Sequence, residues 1–177
     1  MHVFLLAAQT LDGKIARHAG ERSFDWTSPE DKQFYIDHIK LADAIVIGRA
    51  SFSTFKRYPR QSRWLIYTSK PEEFVNPRPE VIRAEGTNED PAELLRRLER
   101  EGCQNVAICG GSSIYKLFLQ AGLVQTMFLT IEPVIFGAGV PLIDQPINSK
   151  LRLNQVHNLT QSVKVLEYTV LPPESQP

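Results

Sequence analysis

Three short segments carry groups suited to holding phosphate: Gly48-Arg49-Ala50-Ser51, Thr68-Ser69-Lys70 and Gly110-Gly111-Ser112-Ser113. Glycine lets backbone N–H groups come close to an anion, and a helix starting just after it adds the positive end of its dipole. Any one of these segments alone is an ordinary strand-to-helix turn. Three in order, each after an apolar run, point to a phosphate-bearing cofactor. Arg49 and the Thr68-Ser69-Lys70 turn together suit a second, separate phosphate, the 2′-phosphate that distinguishes NADPH from NADH.

A second constellation is Trp26-Thr27-Ser28-Pro29-Glu30-Asp31. Ser28 as N-cap, Pro29 at the first helical position and two acids in the first turn make a helix start. Held near a strand-end cleft, Asp31 could relay a proton to a substrate nitrogen while hydride arrives from the other side. The same acids serve equally as plain helix stabilisers. Lys32 follows the acid and faces either substrate or solvent. Asp12-Gly13-Lys14 is either a bare turn or a mobile loop over the cofactor. His2, His18, His38 and His157 are scattered without metal-ligand spacing, and no metal site is expected. No G-x-S-x-G, P-loop or C-x-x-C occurs, so hydrolytic serine chemistry, NTP hydrolysis and dithiol redox lack their usual marks.

The elements that must position these groups follow from hydrophobic pattern. Met1 to Thr10 is a continuous apolar run ended by Leu11-Asp12-Gly13, the pattern of a strand covered on both faces. A helix is expected from Thr27 to Leu41, then buried strands at Ala44–Ile47 and Arg63–Tyr67 and a weaker one at Val81–Ala84. Glu89 to Glu101 reads as an amphipathic helix stopped by Gly102, Val106 to Cys109 as a strand, and Ser112 to Gln120 as a helix. Gln125–Glu132 and Val163–Leu171 read as antiparallel strands near the C-terminus. Alternating strands and helices imply a mainly parallel sheet with ligands at the strands' carboxyl ends. The expected architecture is α/β and three-layered: a mainly parallel central sheet, antiparallel C-terminal strands and flanking helices. Residues 1–171 form one domain in this reading, with Pro172 to Pro177 as a frayed tail.

The chain has 177 residues, 42% of them hydrophobic, enough for one packed core. Its 20 basic and 20 acidic side chains balance, so no global field favours nucleic acid or an anionic membrane. The apolar runs fall far short of the roughly 20 residues that span a bilayer, and no export signal opens the chain, so a cytoplasmic address is expected. Cys103 and Cys109 read as reduced, with Cys109 buried.

At this point the residues resemble a known family. Ala7 to Ala16, Trp26-x-x-Pro29-x-Asp31, Gly48-Arg49, Thr68-Ser69, Gly110-Gly111 with Tyr115, and Leu129-Thr130 look like the ordered landmarks of the dihydrofolate reductase fold. Thr10 to Ala16, Leu119 to Val124 and Pro133 to Leu142 look more like the reductase domain of the riboflavin-biosynthesis deaminase–reductase and its stand-alone relatives. The resemblance implies that Ala8 and Ile15 line a nicotinamide pocket. It gives Gly48, Arg49 and Ser51 to cofactor phosphates and Thr68 and Ser69 to the adenosine ribose phosphate. Gly110, Gly111, Ser112 and Ser113, with Tyr115, fall to the pyrophosphate. Asp31 becomes the proton-relay acid with Thr130 as its hydroxyl partner, and Trp26, Lys32 and Cys109 face substrate.

Departures from the pattern are informative. Gln61-Ser62 stands where folate reductases carry an arginine for the glutamate tail, and Lys32 replaces an apolar wall residue. Cys109 stands where the riboflavin reductases usually show a glutamate. The resemblance implies an NADPH-dependent reduction of a ribosylaminopyrimidine, akin to 5-amino-6-(5-phosphoribosylamino)uracil reductase. A dihydrofolate reductase is the alternative within the same chemistry. A catalytically silent nucleotide-binding module is the alternative outside it. The small heterocyclic substrate is the expected partner, together with a second copy of the chain, because the apolar C-terminal strands would otherwise leave open edges.

Overall fold

The computed structural model describes residues 1–55 and 63–172. Gln61-Ser62 and the end of the expected tail, residues 173–177, lie outside the described residues. In chain order the elements are β1 (His2–Thr10), β2 (Lys14–Ala16), α1 (Pro29–Ile39), β3 (Ala44–Gly48), α2 (Arg49–Phe52), β4 (Arg63–Tyr67) and β5 (Arg83–Thr87). They continue with α3 (Pro91–Arg100), β6 (Asn105–Ile108), α4 (Ser112–Gln120), β7 (Thr126–Glu132), β8 (Val140–Pro141), β9 (Leu151–Asn158) and β10 (Lys164–Val170).

Eight strands form one sheet in the order β5-β4-β3-β6-β1-β7-β10-β9. The first six positions are parallel, and β10 and β9 close the far side antiparallel. The continuous apolar run of β1 is explained by its central place. Val3, Leu5 and Ala7 enter the core shared with α3 and α4, while Phe4 and Leu6 enter a second core beneath α1. The architecture is therefore the three-layer, mixed but mostly parallel sheet expected from the sequence. On α3, Leu94, Leu95 and Leu98 are buried on one stripe, each contributing about 1.5–3 kcal/mol of burial. Asp90 caps that helix by accepting from Ala92 N (2.9 Å) and Glu93 N (3.3 Å).

Three readings need correction. The strand Gln125–Glu132 is not simply antiparallel: β7 pairs in parallel with β1 and antiparallel only with β10. The strand expected at Val81–Ala84 begins later, at Arg83, because Ile82 enters the second core from a turn whose carbonyl is held by Asn76 Nδ2 at 2.8 Å. The edge strand β9 escaped notice because its first six residues are all exposed and half of them are polar.

Beyond β1 the chain folds back over the strand ends. Leu11 N donates to Val134 O (2.9 Å), Leu142 N donates to Gly13 O (3.1 Å), and β2 pairs with β8. Asp12 locks this crossing: its carboxylate accepts from Thr10 Oγ1 (2.6 Å), Phe136 N (3.1 Å) and Gly137 N (2.8 Å). The Thr10 hydroxyl, first among these donors, outweighs the small opposing effect of burial and holds the Asp12 pKa down at about 2. The Arg17 guanidinium sits 4.1 Å over the Phe136 ring and braces the same loop. No described helix is long and apolar enough to cross a membrane.

A carboxylate whose folded pKa is depressed contributes stability above its unfolded value, near 4, and loses it as pH falls toward about 2. Asp12→Asn is therefore expected to lower Tm at pH 6 and to leave it nearly unchanged at pH 2. Thermal melts of the two proteins at both pH values check this, and an equal deficit at both would remove the ionic role.

Candidate active site

Parallel strands place their carboxyl ends on one side of a sheet, and the order here puts β6 between β1 and β3, where the chain direction along the sheet reverses. A cleft of about 870 Å³ opens at that point. Its two halves are built by different means.

One half is edged by glycine. Gly48 N, at the end of β3, donates to Gly110 O, at the end of β6, at 2.7 Å, so the two strand ends are tied directly. Gly110 has φ 94°, in the region that favours glycine, and a Cβ there would stand 2.7 Å from the Tyr115 ring. A Cβ on Gly111 would approach Ser51 Oγ to 3.0 Å. The absent side chains leave a backbone cradle between α2 and α4, both of which start on a glycine that makes no side-chain cap. Tyr115 is held under the cradle by donating to Leu6 O at 2.7 Å. Arg49, Ser51, Thr68, Ser69, Gly111, Ser112 and Ser113 line this half, and Ala8 and Ile15 line the passage beside it. Lys70 does not line it: its ammonium is drawn to Glu73 Oε1 at 2.6 Å, which leaves Arg49 and the two hydroxyls of the expected phosphate group.

The other half is aromatic and closes on a buried acid. Phe24, Phe34, Tyr35, Phe55 and Phe128 line it, with Asp31, Thr130 and Cys109 at its floor. Asp31 sits in the first turn of α1, 4% exposed. Its position is set by Ser28, whose hydroxyl accepts from Asp31 N at 3.2 Å and donates to Glu132 Oε1 at 2.7 Å. Ser28 N donates to the same Glu132 oxygen at 2.8 Å. Thr130 and Glu132 are two residues apart on β7 and so face the same side.

Burial is the main influence on Asp31 and raises its pKa, reinforced by the negative charge of Glu132. The hydroxyls of Thr130 and Thr27 draw it down less strongly. Thr27 faces the carboxyl without closing a hydrogen bond of ordinary geometry. The Cys109 thiol, buried against Tyr35, is pushed up to about 12 and stays neutral, which removes it as a nucleophile.

Two substrate-facing expectations are displaced. Lys32 is exposed, with its ammonium 5.6 Å from the Phe24 ring, because one residue after Asp31 is about 100° around the helix. Trp26 precedes the helix and packs edge-on against Phe136 at 5.1 Å, outside the lining of the cleft. Glu132 and Tyr35 were missed. Spacing could have found both, since Glu132 is two residues beyond Thr130 on a strand and Tyr35 is four beyond Asp31 on a helix. Among the described residues, no three His, Cys, Asp or Glu side chains converge to hold a metal ion.

The chain is similar to known proteins. Uncharacterized protein YwjB of Bacillus subtilis is 28% identical over 170 residues, covering 91% of this chain and 94% of that protein. The 2,5-diamino-6-ribosylamino-4(3H)-pyrimidinone 5′-phosphate reductase of Methanothermobacter thermautotrophicus is 27% identical over 214 residues, covering 96% and 98%. Among solved structures, the Thermotoga maritima diaminohydroxyphosphoribosylaminopyrimidine deaminase/5-amino-6-(5-phosphoribosylamino)uracil reductase superposes with a TM-score of 0.78 at 19% identity, over 96% of this chain and 56% of that one. Dihydrofolate reductase from Enterococcus faecalis, complexed with NADP(H), superposes with a TM-score of 0.67 at 18% identity, over 96% of each chain, so the fold is dihydrofolate reductase-like. The RibD C-terminal domain family matches residues 1–165, nearly the whole described chain, and the protein belongs to that family of NAD(P)H-dependent reductases.

Proposed function

We propose that the chain is an NADPH-dependent reductase acting on a small nitrogen heterocycle of the ribosylaminopyrimidine class named for the Methanothermobacter relative. The observation that carries this reading is the single cleft that joins a glycine-edged half to an aromatic half closed by a buried acid. The residues present fit the cofactor: a Cβ at Gly110 or Gly111 would fill the cradle, and neither residue has one. Arg49, Ser51, Thr68, Ser69 and the Gly110–Ser113 turn would hold its phosphates, with Ala8 and Ile15 beside its ring. NADPH bound there supplies the hydride. Asp31 holds the proton that an imine nitrogen takes up as its carbon is reduced, and Thr130 orients that carboxyl. The aromatic walls keep water from the reacting atoms.

A second reading, dihydrofolate reduction, is favoured by the Asp31–Thr130 pairing alone. Loss of NADPH absorbance with the ribosylaminopyrimidinone phosphate and with dihydrofolate, measured side by side, separates the two. Turnover of neither overturns the reductase reading.

A homodimer is also proposed. It is supported by a sheet face on which Asn154 forms a one-residue bulge, between the pairs Leu153–Tyr168 and Gln155–Glu167. The bulge brings Val156 onto the side already taken by Leu151 and Leu153, and all three are exposed. A stripe of this kind on a strand edge calls for a partner.

Three outcomes are expected. Arg49→Ala should weaken NADPH by about ten- to hundredfold while changing NADH little, as loss of a charge-assisted bond to a 2′-phosphate predicts; equal effects on both by calorimetry would sink the assignment. Light scattering at micromolar protein should give a dimer mass that Leu153→Lys shifts to monomer.

Asp31→Asn should lower turnover about 10²-fold and remove the alkaline descent of the rate, which for a raised pKa lies above the ordinary carboxylate range. The stability sign is opposite to the usual acid. Asp31 favours the folded state most below its unfolded pKa and loses that contribution as pH rises through the raised value. The variant should therefore gain Tm on wild type as pH rises above the ordinary carboxylate range, and parallel melts from acid to neutral pH test it.

A further inference from the structure

Among the described residues, the buried side-chain polar atoms without a hydrogen-bond partner are Trp26 Nε1, Thr27 Oγ1 and Tyr35 OH. Trp26 and Thr27 lie just before α1, and Tyr35 lies midway along it. Trp26 is outside the cleft lining and Thr27 faces Asp31, so of these three only Tyr35 presents to the cleft a hydroxyl that no oxygen or nitrogen answers. Four residues separate Tyr35 from Asp31, one helical turn, which sets the two side chains on the same face. The ring is clamped: Phe24 meets it edge-on at 5.4 Å and Phe55 lies 6.4 Å away. Its hydroxyl is turned to the floor, against the Cys109 thiol, with Tyr115 and Asp31 nearby. Tyr115 is already committed to Leu6 O, and the Cys109 sulfur is a weak acceptor.

A buried hydroxyl left without an acceptor is costly, and such groups in native proteins mark a place where a ligand or water completes the bond. We propose that Tyr35 is a specificity-determining donor for substrate, and that the heterocycle reduced here carries a ring carbonyl oxygen that accepts from its phenol while an adjacent ring or amino nitrogen meets Asp31. Burial keeps the phenol protonated far into the alkaline range, so it acts only as a donor. The two contacts, a donor and a carboxyl one helical turn apart, select an aminopyrimidinone edge over an aminopyrimidine lacking the oxygen. This rests on the reductase reading above, and it names which edge of the substrate enters first.

The test uses two small probes, 2-aminopyrimidin-4-one and 2-aminopyrimidine, titrated calorimetrically into the full chain with NADPH present. Wild type should bind the carbonyl-bearing probe about tenfold more tightly, the value of one buried hydrogen bond. Tyr35→Phe should erase that ratio without weakening 2-aminopyrimidine, and its melting temperature should stay within a few degrees of wild type. Wild type showing no preference overturns the proposal without any variant. A preference that survives in Tyr35→Phe overturns it as well, and both results leave the heterocycle site standing. Failure of wild type to bind either probe removes the proposal and the heterocycle reading together.

Discussion

The two hydrogen bonds that Glu132 accepts from Ser28 join α1 to β7, and the acid half of the cleft is built on that joint. Asp31 and Tyr35 come from the helix, Thr130 from the strand. The Thr130 hydroxyl on the Asp31 carboxyl adds a second tie between the same two elements. A carboxylate 3% exposed is expensive unless its lone pairs are used. Ser28 uses them twice, with its amide and its hydroxyl, and passes its own lone pair on to Asp31 N. One serine thus caps the helix, satisfies a buried charge and sets the height of Asp31 above the sheet. Hydrogen bonds to a charged group contribute about 1.5–3 kcal/mol, so this joint outweighs an ordinary cap. The same proximity has an electrostatic effect, since the negative charge of Glu132 adds to the rise that burial gives the Asp31 pKa.

The glycine half is organised by backbone instead of side chains. Tying Gly48 N to Gly110 O brings the ends of β3 and β6 together, and the helices that follow start side by side. Their N-terminal amides carry a partial positive charge beside Arg49, which lines the same half. Two other arginines are spent elsewhere: Arg63 and Arg97 bridge Glu85 and Glu101, with Arg97 also holding Glu89, and they pin α3 to β4 and β5.

Much of this was legible in the residues. The doubly covered β1, the capped start of α1 and the three strand-end turns follow from pattern, because buried parallel strands and glycine turns leave strong local signals. What escaped depends on long-range placement. Lys32 adjoins the acid in sequence but not in direction, whereas Tyr35, four residues on, shares its face. Lys70 completes an apparent basic turn, yet Glu73 lies three residues away and takes the charge. Glu132 looks like a charged strand end until the start of α1 arrives above it. The polar run of β9 hides a strand because its apolar residues fall out of period two, and only the Asn154 bulge restores them to one side.

The acid and the phenol also show why position on a helix matters more than residue type at such a site. A helix presents equivalent directions at intervals of three and four residues, so a site built on α1 receives groups in steps of one turn. Asp31 takes the deep step, where Thr130 and Glu132 reach it from β7. Tyr35 takes the next, between Phe24 and Phe55. Residues between these steps are free to serve solubility, as Lys32 and Gln33 do at the surface. The aromatic half of the cleft is therefore lined by polar groups spaced by the helix, with the surrounding rings filling the intervals between them.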